Sequence, residues 1–152
     1  VSHARIDVKN PMRVMKALEV SLQTGRPYSG FLSARPKPRP FNILRIALDM
    51  ERERLYRRIN ERVDRMMEKG LLEEVKRLQP YRDHNAMKSV GYRELLEYLD
   101  GNSTLEEAVD RIKSNTRRFA RKQLTWFRKN ELYHWFHPDD PGKIIRFIEQ
   151  QL

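Results

Sequence analysis

The chain has 152 residues and no cysteine, and its 31 Lys and Arg outnumber 21 Asp and Glu to leave a formal charge of +10 at pH 7. That length allows one ordinary domain with a core of its own, and the lack of Cys excludes disulfides and cysteine-ligated zinc and fits the cytoplasm. The charge favours a polyanionic partner; no apolar run approaches the roughly 18 residues that a spanning helix needs, so nucleic acid is preferred to a membrane.

The opening residues, VSHARIDVKN, carry charge and no apolar signal core. Asn10-Pro11 reads as N-cap followed by the first helical position, and Gly25 as the stop. A helix is predicted between them, with Val14, Leu18 and Leu22 as its buried stripe and Arg13 and Lys16 elsewhere on its first turns. From Gly25 to Pro40, Pro27, Pro36, Pro38 and Pro40 are interleaved with Arg35, Lys37 and Arg39. Proline fixes φ and removes a donor, so an extended connection is predicted. Eight Lys and Arg against two acids in the first forty residues make this a flexible basic linker or a contact surface.

Phe41 to Leu48, FNILRIAL, is short, apolar and β-branched at Ile43 and Ile46, and reads as a strand buried on both faces. A helix from about Glu51 to Lys69 follows, stopped by Gly70, with Leu55, Ile59, Val63 and Met66 inward. Arg58, Arg62, Arg65 and Lys69 run along the edge of that stripe; Glu61 can reach Arg65, yet a row of guanidiniums beside a core is also what gripping phosphate requires. Leu71 to Leu78 continues as a short helix ended by Pro80. The polar YRDHNAM then leads to Lys88, Ser89, Val90, Gly91, Tyr92 and Arg93, where Gly91 marks either a plain helix entry or a close approach to the backbone. Leu95, Leu96 and Leu99 carry a helix to Gly101.

The longest element is predicted from Ser103 to Asn130. Ser103 and Thr104 each have a glutamate three residues on, Glu106 and Glu107, a double capping box. Leu105, Ala108, Val109, Ile112, Thr116, Phe119, Ala120, Leu124 and Phe127 make one apolar face. Arg117, Arg118, Arg121, Lys122, Arg128 and Lys129 fall on the opposite side, and no acid occurs from Arg111 to Lys129. Solvated helix faces usually mix both signs, so this stripe reads as a phosphate-contacting face. Gln123 points into the apolar face, and Trp126 lies at its border, as core or as a platform for a base. YHWF, 133–136, is a second candidate strand, and Pro141 to Leu152 a closing helix with Ile144, Ile145 and Ile148. His134 and His137 are too few for a metal site.

Four of these stretches carry a resemblance: NPMRVMKALEV with Thr24-Gly25, LYRRINERVDRMMEKGLLEEV, SVGYRE and IKSNTRRFARKQLTWFR, in that order. Spanning about Ala4 to Trp135, they resemble the C-terminal half of the bacterial tRNA dimethylallyltransferase (tRNA isopentenyltransferase) family. The resemblance implies a mainly α fold with a small parallel β component, the C-terminal part of a P-loop nucleotide-kinase-like α/β core with lid and tRNA-binding helices. Residues 1–40 would end a helical insertion, and 41–152 would be the C-terminal part of the core, with FNILRIAL and YHWF its last two strands. The implied reaction moves a dimethylallyl group from its diphosphate to N6 of the adenosine 3′ of the anticodon. The implied partners are the tRNA anticodon stem-loop and dimethylallyl diphosphate, with Mg2+ whose ligands lie outside this sequence, a monomer and no membrane.

By this resemblance Arg62 and Arg58 would grip the diphosphate. Lys88, Ser89, Val90, Gly91, Tyr92 and Arg93 would approach the anticodon loop, the long helix would contact tRNA through Arg121, Lys122, Gln123, Thr125, Trp126 and Arg128, and Arg13 with Lys16 would add a third contact. Tyr92 and Trp126 would stack on loop bases. The family's phosphate loop and its carboxylate base lie near the N-terminus; the only Gly-Lys here, Gly142-Lys143, lacks the earlier glycine and the following Ser or Thr. No catalytic residue is therefore assigned, and the chain is expected to be part of a longer polypeptide that binds, without catalysing, by itself. The competing readings are an adenine-nucleotide isopentenyltransferase, which a stripe several turns long argues against, and a basic helical nucleic-acid-binding module without catalysis.

Overall fold

The structure is a computed structural model that describes residues 7–32 and 40–151. Two compact units divide the chain, Val1–Asn42 and Ile43–Leu152.

In the first unit, helix α1 spans Pro11–Thr24. Asn10 Oδ1 accepts from the Arg13 N–H at 3.3 Å, Pro11 sits at the first helical position, and Gly25 ends the helix at φ +63°, where a side chain would be strained. The chain does not then run extended. A 3-10 turn at Tyr28–Gly30 folds it, with the Tyr28 N–H donating to Ser21 Oγ at 3.1 Å. Residues 33–39, which hold Pro36, Pro38, Arg35, Lys37 and Arg39, lie outside the described residues. The expected buried stripe is also corrected: Leu18 and Leu22 are exposed, and Ala17 is the buried residue of α1. Among the described residues of its unit the helix packs on the short turn at Tyr28–Gly30, which leaves Leu18 and Leu22 uncovered.

The second unit carries a two-stranded parallel sheet, β1 (Arg45–Leu48) beside β2 (Tyr133–Phe136), in register from Arg45↔Tyr133 to Leu48↔Phe136. A parallel pair needs a long crossover. Here it is α2 (Arg52–Glu68), α3 (Leu71–Leu78), α4 (Tyr92–Leu99) and α5 (Leu105–Arg128), and α6 (Pro141–Glu149) follows β2. β1 starts four residues later than FNILRIAL, and it is not buried on both faces. Ile43, Leu44 and Leu48 remain exposed, because only two strands form the sheet among the described residues. α6 lays Phe147 against His134 and Phe136, with ring centroids 4.5 and 5.3 Å apart.

The core lies among the crossover helices. Val63 of α2, Leu71 and Val75 of α3, Leu95 and Leu96 of α4, and Ala108 and Ile112 of α5 meet around Met87. Each large side chain buried here contributes about 1.5–3 kcal/mol. Gly70, at φ +90°, turns α2 directly into α3. At the start of α5, Thr104 is the N-cap: its hydroxyl accepts from the Glu107 N–H at 3.2 Å and Glu107 accepts from the Thr104 N–H at 2.9 Å. The second box expected from Ser103 and Glu106 does not form; one helix start has one N-cap, and the Ser103 hydroxyl is buried without a partner. No helix of the described residues is long and apolar enough to cross a membrane.

One charged group is sealed into this apolar core. Glu94 is 2% exposed, and its carboxylate accepts from three donors: the Gly91 N–H at 2.8 Å, Arg93 Nη2 at 2.6 Å and Asn115 Nδ2 at 2.8 Å. Burial alone would raise its pKa, but these donors together outweigh burial and hold it below the ordinary carboxylate value. A depressed carboxyl stabilises the fold above the unfolded-state pKa, about 4.3 for Glu, and that stability is lost as pH falls through the folded value. Glu94→Gln, which turns one acceptor into a donor facing donors, is expected to cost about 2 kcal/mol at pH 7. The gap to the unmodified chain should narrow below about pH 4, where Glu94 itself becomes protonated. Urea unfolding from pH 3 to pH 7 measures it; a pH-independent gap would remove the charge from the account.

Candidate functional site

Two cavities flank α2. The first, about 580 Å³, lies between the end of β1, α2 and α5. Its apolar wall includes Ile46, Leu55, Leu124, Phe127 and Trp135, and Arg58, Arg62 and Arg65 line it from α2, one to two turns apart. The second, about 450 Å³, lies between α2, the Lys88–Val90 turn and α5, with Val63, Met66, Ile112 and Phe119 on its wall and Lys88, Ser89 and Thr116 as its polar groups. Ile59 and Arg62 line both.

The cations of α2 and α5 divide into two classes. Arg54 is paired with Asp139, Arg128 with Asp49, and Lys113 with Asp64 at 2.5 Å. Arg117 donates to Asn60 Oδ1 at 2.7 Å and lies 5.8 Å from the Tyr56 ring centroid. Arg58, Arg62 and Arg65 form no salt bridge among the described residues, and the Glu61–Arg65 pairing open to the sequence does not form. Three unpaired guanidiniums on one apolar-walled cavity concentrate positive potential where water is partly excluded, the condition under which a bidentate phosphate contact is strong. Lys69 stands apart from them, at a smaller hollow of about 230 Å³ beside Gly91 and Tyr92.

The turn Lys88–Arg93 is held from below. Ser89 Oγ donates to the Ala86 carbonyl at 2.6 Å. Gly91 has φ +107°, and a Cβ there would meet nothing within 4 Å. Its requirement is thus the backbone conformation and not a close approach. Tyr92 is half-buried against the core and its hydroxyl donates to Glu74 at 2.5 Å; that bond, and then burial, raise its pKa. That bond fixes the ring against α3 through its hydroxyl end. Arg93 reaches back to Glu94, while its side chain stays half exposed.

On the outer face of α5, Arg118, Arg121, Lys122, Thr125, Trp126 and Lys129 surround an open concavity of about 530 Å³. Trp126 is 64% exposed, in edge contact with Phe127, so of its two readings the core one is set aside. The basic stripe is shorter than the helical wheel suggests. Arg117 turns to α2, and Arg128 is held by Asp49 with its guanidinium 5.7 Å from the Trp135 ring centroid. Gln123 lines the first cavity and not the basic concavity. In the first unit, Arg13 and Lys16 line a separate hollow of about 390 Å³ with Asn10, Met12 and Tyr28, and Lys16 is paired with Glu19 at 2.9 Å.

Sequence reasoning passed over Glu94, Asn115, Asn60 and Asp49. For Glu94 a signal existed: a Glu three residues after Gly91, at the third position of a helix. Among the described residues no group of three or more His, Asp or Glu could hold a metal, so the residues here do not fit a Mg2+ site.

The sequence model for "IPP transferase" matches residues 1–130. The chain is 48% identical over 146 residues to tRNA dimethylallyltransferase 1 of Bacteroides thetaiotaomicron, covering 96% of this chain and 47% of that protein. To the tRNA dimethylallyltransferase of Cytophaga hutchinsonii it is 47% identical over 151 residues, 99% of this chain and 50% of the relative. A crystal structure of the tRNA isopentenylpyrophosphate transferase of Bacillus halodurans superposes with a TM-score of 0.69 at 42% identity, over 97% of this chain and 47% of that one. The corresponding Staphylococcus epidermidis structure gives 0.70 at 33% identity, over 99% and 52%. The chain spans about half the length of the curated relatives it matches. With the match covering most of its length, the chain belongs to the IPP transferase family.

Proposed function

We propose that this chain supplies the tRNA-binding and diphosphate-gripping part of a cytoplasmic tRNA dimethylallyltransferase. The observation that carries the reading is Arg62, a guanidinium without a salt bridge among the described residues, on the wall common to two cavities. In the proposed arrangement the diphosphate of dimethylallyl diphosphate meets Arg62, with Arg58 one turn away, and the apolar wall accepts the five-carbon chain. As the allylic carbon–oxygen bond breaks, charge grows on the departing diphosphate, and a guanidinium already aimed at it lowers the barrier without reorganising. The adenosine must leave its stack before its amine can react; the Lys88–Val90 rim of the second cavity is where we place its approach. Arg118, Arg121, Lys122 and Lys129 would hold backbone phosphates, with Trp126 offering a face to an unstacked base. Arg13 and Lys16 are proposed as a further tRNA contact.

The 152 residues contain no G-x-x-x-x-G-K motif followed by Ser or Thr, so the chain alone is proposed to bind and not to catalyse. The resemblance implies Mg2+ in the complete enzyme.

In the complete enzyme, Arg62→Ala is expected to lower kcat/KM for the allyl donor by about 100-fold, the effect of losing one well-placed electrostatic contact. Affinity for tRNA should stay within about twofold, because phosphate contacts elsewhere carry most of it. Steady-state kinetics with donor varied at saturating tRNA decides it; normal donor kinetics with weak tRNA binding would move Arg62 onto the RNA face.

Arg121→Ala with Lys122→Ala should weaken anticodon stem-loop binding by this chain and flatten the plot of log affinity against log salt by about 1.5, two phosphate contacts' worth. Arg128→Ala should instead lower the melting temperature, since its guanidinium ties α5 to Asp49. Fluorescence anisotropy across a salt series reads the first; an unchanged slope would leave the concavity merely solvated.

A further inference from the structure

Two proposed RNA-facing surfaces, the Lys88–Arg93 turn and the outer face of α5, belong to different elements, and a rigid ligand needs both at a fixed spacing. Their mutual placement runs through Glu94. One carboxylate oxygen accepts from the Gly91 N–H inside the turn; the other accepts from Arg93 Nη2 at the end of the turn and from Asn115 Nδ2 on α5. Asn115 lies one turn before Arg118 and two before Lys122 on that helix. Gly91 holds a conformation at φ +107° that favours glycine. The hydrogen bond to Glu94 restrains that conformation, together with the bonds from the Arg93 and Leu95 N–H groups to the Ser89 and Gly91 carbonyls.

We propose that Glu94 is a positioning residue for tRNA: its buried carboxylate fixes the Lys88–Arg93 turn against α5, so that both meet one anticodon stem-loop at once. The proposal rests on the tRNA-binding reading above. It carries a signature that simple charge effects lack. Removing a negative charge from a basic protein should tighten its binding to a polyanion. Loss of positioning should weaken it, because the turn and α5 would then be ordered only at the expense of binding free energy. Asn115, which the tRNA reading does not use, is the second handle: Asn115→Ala cuts only the link to α5 and leaves the Gly91 and Arg93 bonds in place.

The test is anisotropy of a labelled anticodon stem-loop with the 152-residue chain and three variants, Glu94→Gln, Asn115→Ala and Val75→Ala. Val75 is 0% exposed in α3, has no polar side-chain atom with which to bond the turn, and serves as a control for lost stability. Glu94→Gln is expected to weaken binding about 10-fold and Asn115→Ala about 3-fold, at unchanged salt slope, since no phosphate contact is removed. Val75→Ala should bind as the unmodified chain does at temperatures where it is folded. Binding by Glu94→Gln as tight as, or tighter than, the unmodified chain would overturn the positioning role while leaving the tRNA reading intact. If Glu94→Gln does not fold, Asn115→Ala decides alone, and its unchanged affinity would overturn the role. An unmodified chain that binds duplex DNA as well as the stem-loop would overturn the underlying reading, and the positioning role with it.

Discussion

A carboxylate sealed in an apolar core is tolerated only when its hydrogen-bonding capacity is met, and Glu94 meets it with three donors drawn from two elements and the turn between helices. The surrounding packing of Val75, Leu95 and Ile112 would hold helices together with considerable latitude in rotation and slide. A hydrogen-bonded charge removes that latitude, because any displacement of α4 against α5 leaves an anion unsolvated. Gly91 and Asn115 are consequences of the same constraint: one supplies a backbone N–H that a side-chain-bearing residue would strain to present, the other a neutral donor that leaves the local charge unchanged.

The unit's many cations then sort by partner. Arg54 and Arg128 are held by Asp139 and Asp49, beyond the ends of the strands, and Lys113 by Asp64, which ties α5 to α2. Such exposed pairs add little stability each, but they fix which guanidiniums remain. Two groups of cations without a salt bridge among the described residues stand together: Arg58, Arg62 and Arg65 on one cavity, and Arg118, Arg121, Lys122 and Lys129 on one concavity. In the proposed function the first group meets a small, highly charged leaving group inside an apolar enclosure and the second meets a dispersed line of phosphates in water. The difference in enclosure suits the difference in task.

Much of this was legible in the sequence because the signals were local or periodic. Asn10-Pro11 and Thr104 with Glu107 marked helix starts, Gly25, Gly70 and Gly101 marked stops, and the two short apolar strands, paired 88 residues apart, are separated by the long helical crossover that parallel pairing requires. The side chain at Arg62 was found by its place at the border of an apolar stripe. What was not legible depended on tertiary partners. Helical spacing put Arg117 and Arg128 among the outward cations, but Asn60 and Asp49 turn them to structural use. It put Leu18 and Leu22 inside, although both are exposed. The Tyr92 hydroxyl finds its partner, Glu74, on another helix, and a buried Glu94 cannot be told by spacing from an exposed one.

The central claim is that the Lys88–Arg93 turn and the α5 concavity face one RNA loop, and covalent mapping tests it most directly. A stem-loop carrying a photoreactive nucleoside immediately 3′ of the anticodon would be irradiated with the chain and the adduct located by mass spectrometry. The expected result is an adduct within the Lys88–Arg93 turn or on the α2 and α5 walls of the second cavity, displaced by unlabelled stem-loop and not by duplex DNA of equal length. Adducts spread over α3 and α6, displaced equally by duplex DNA, would contradict it.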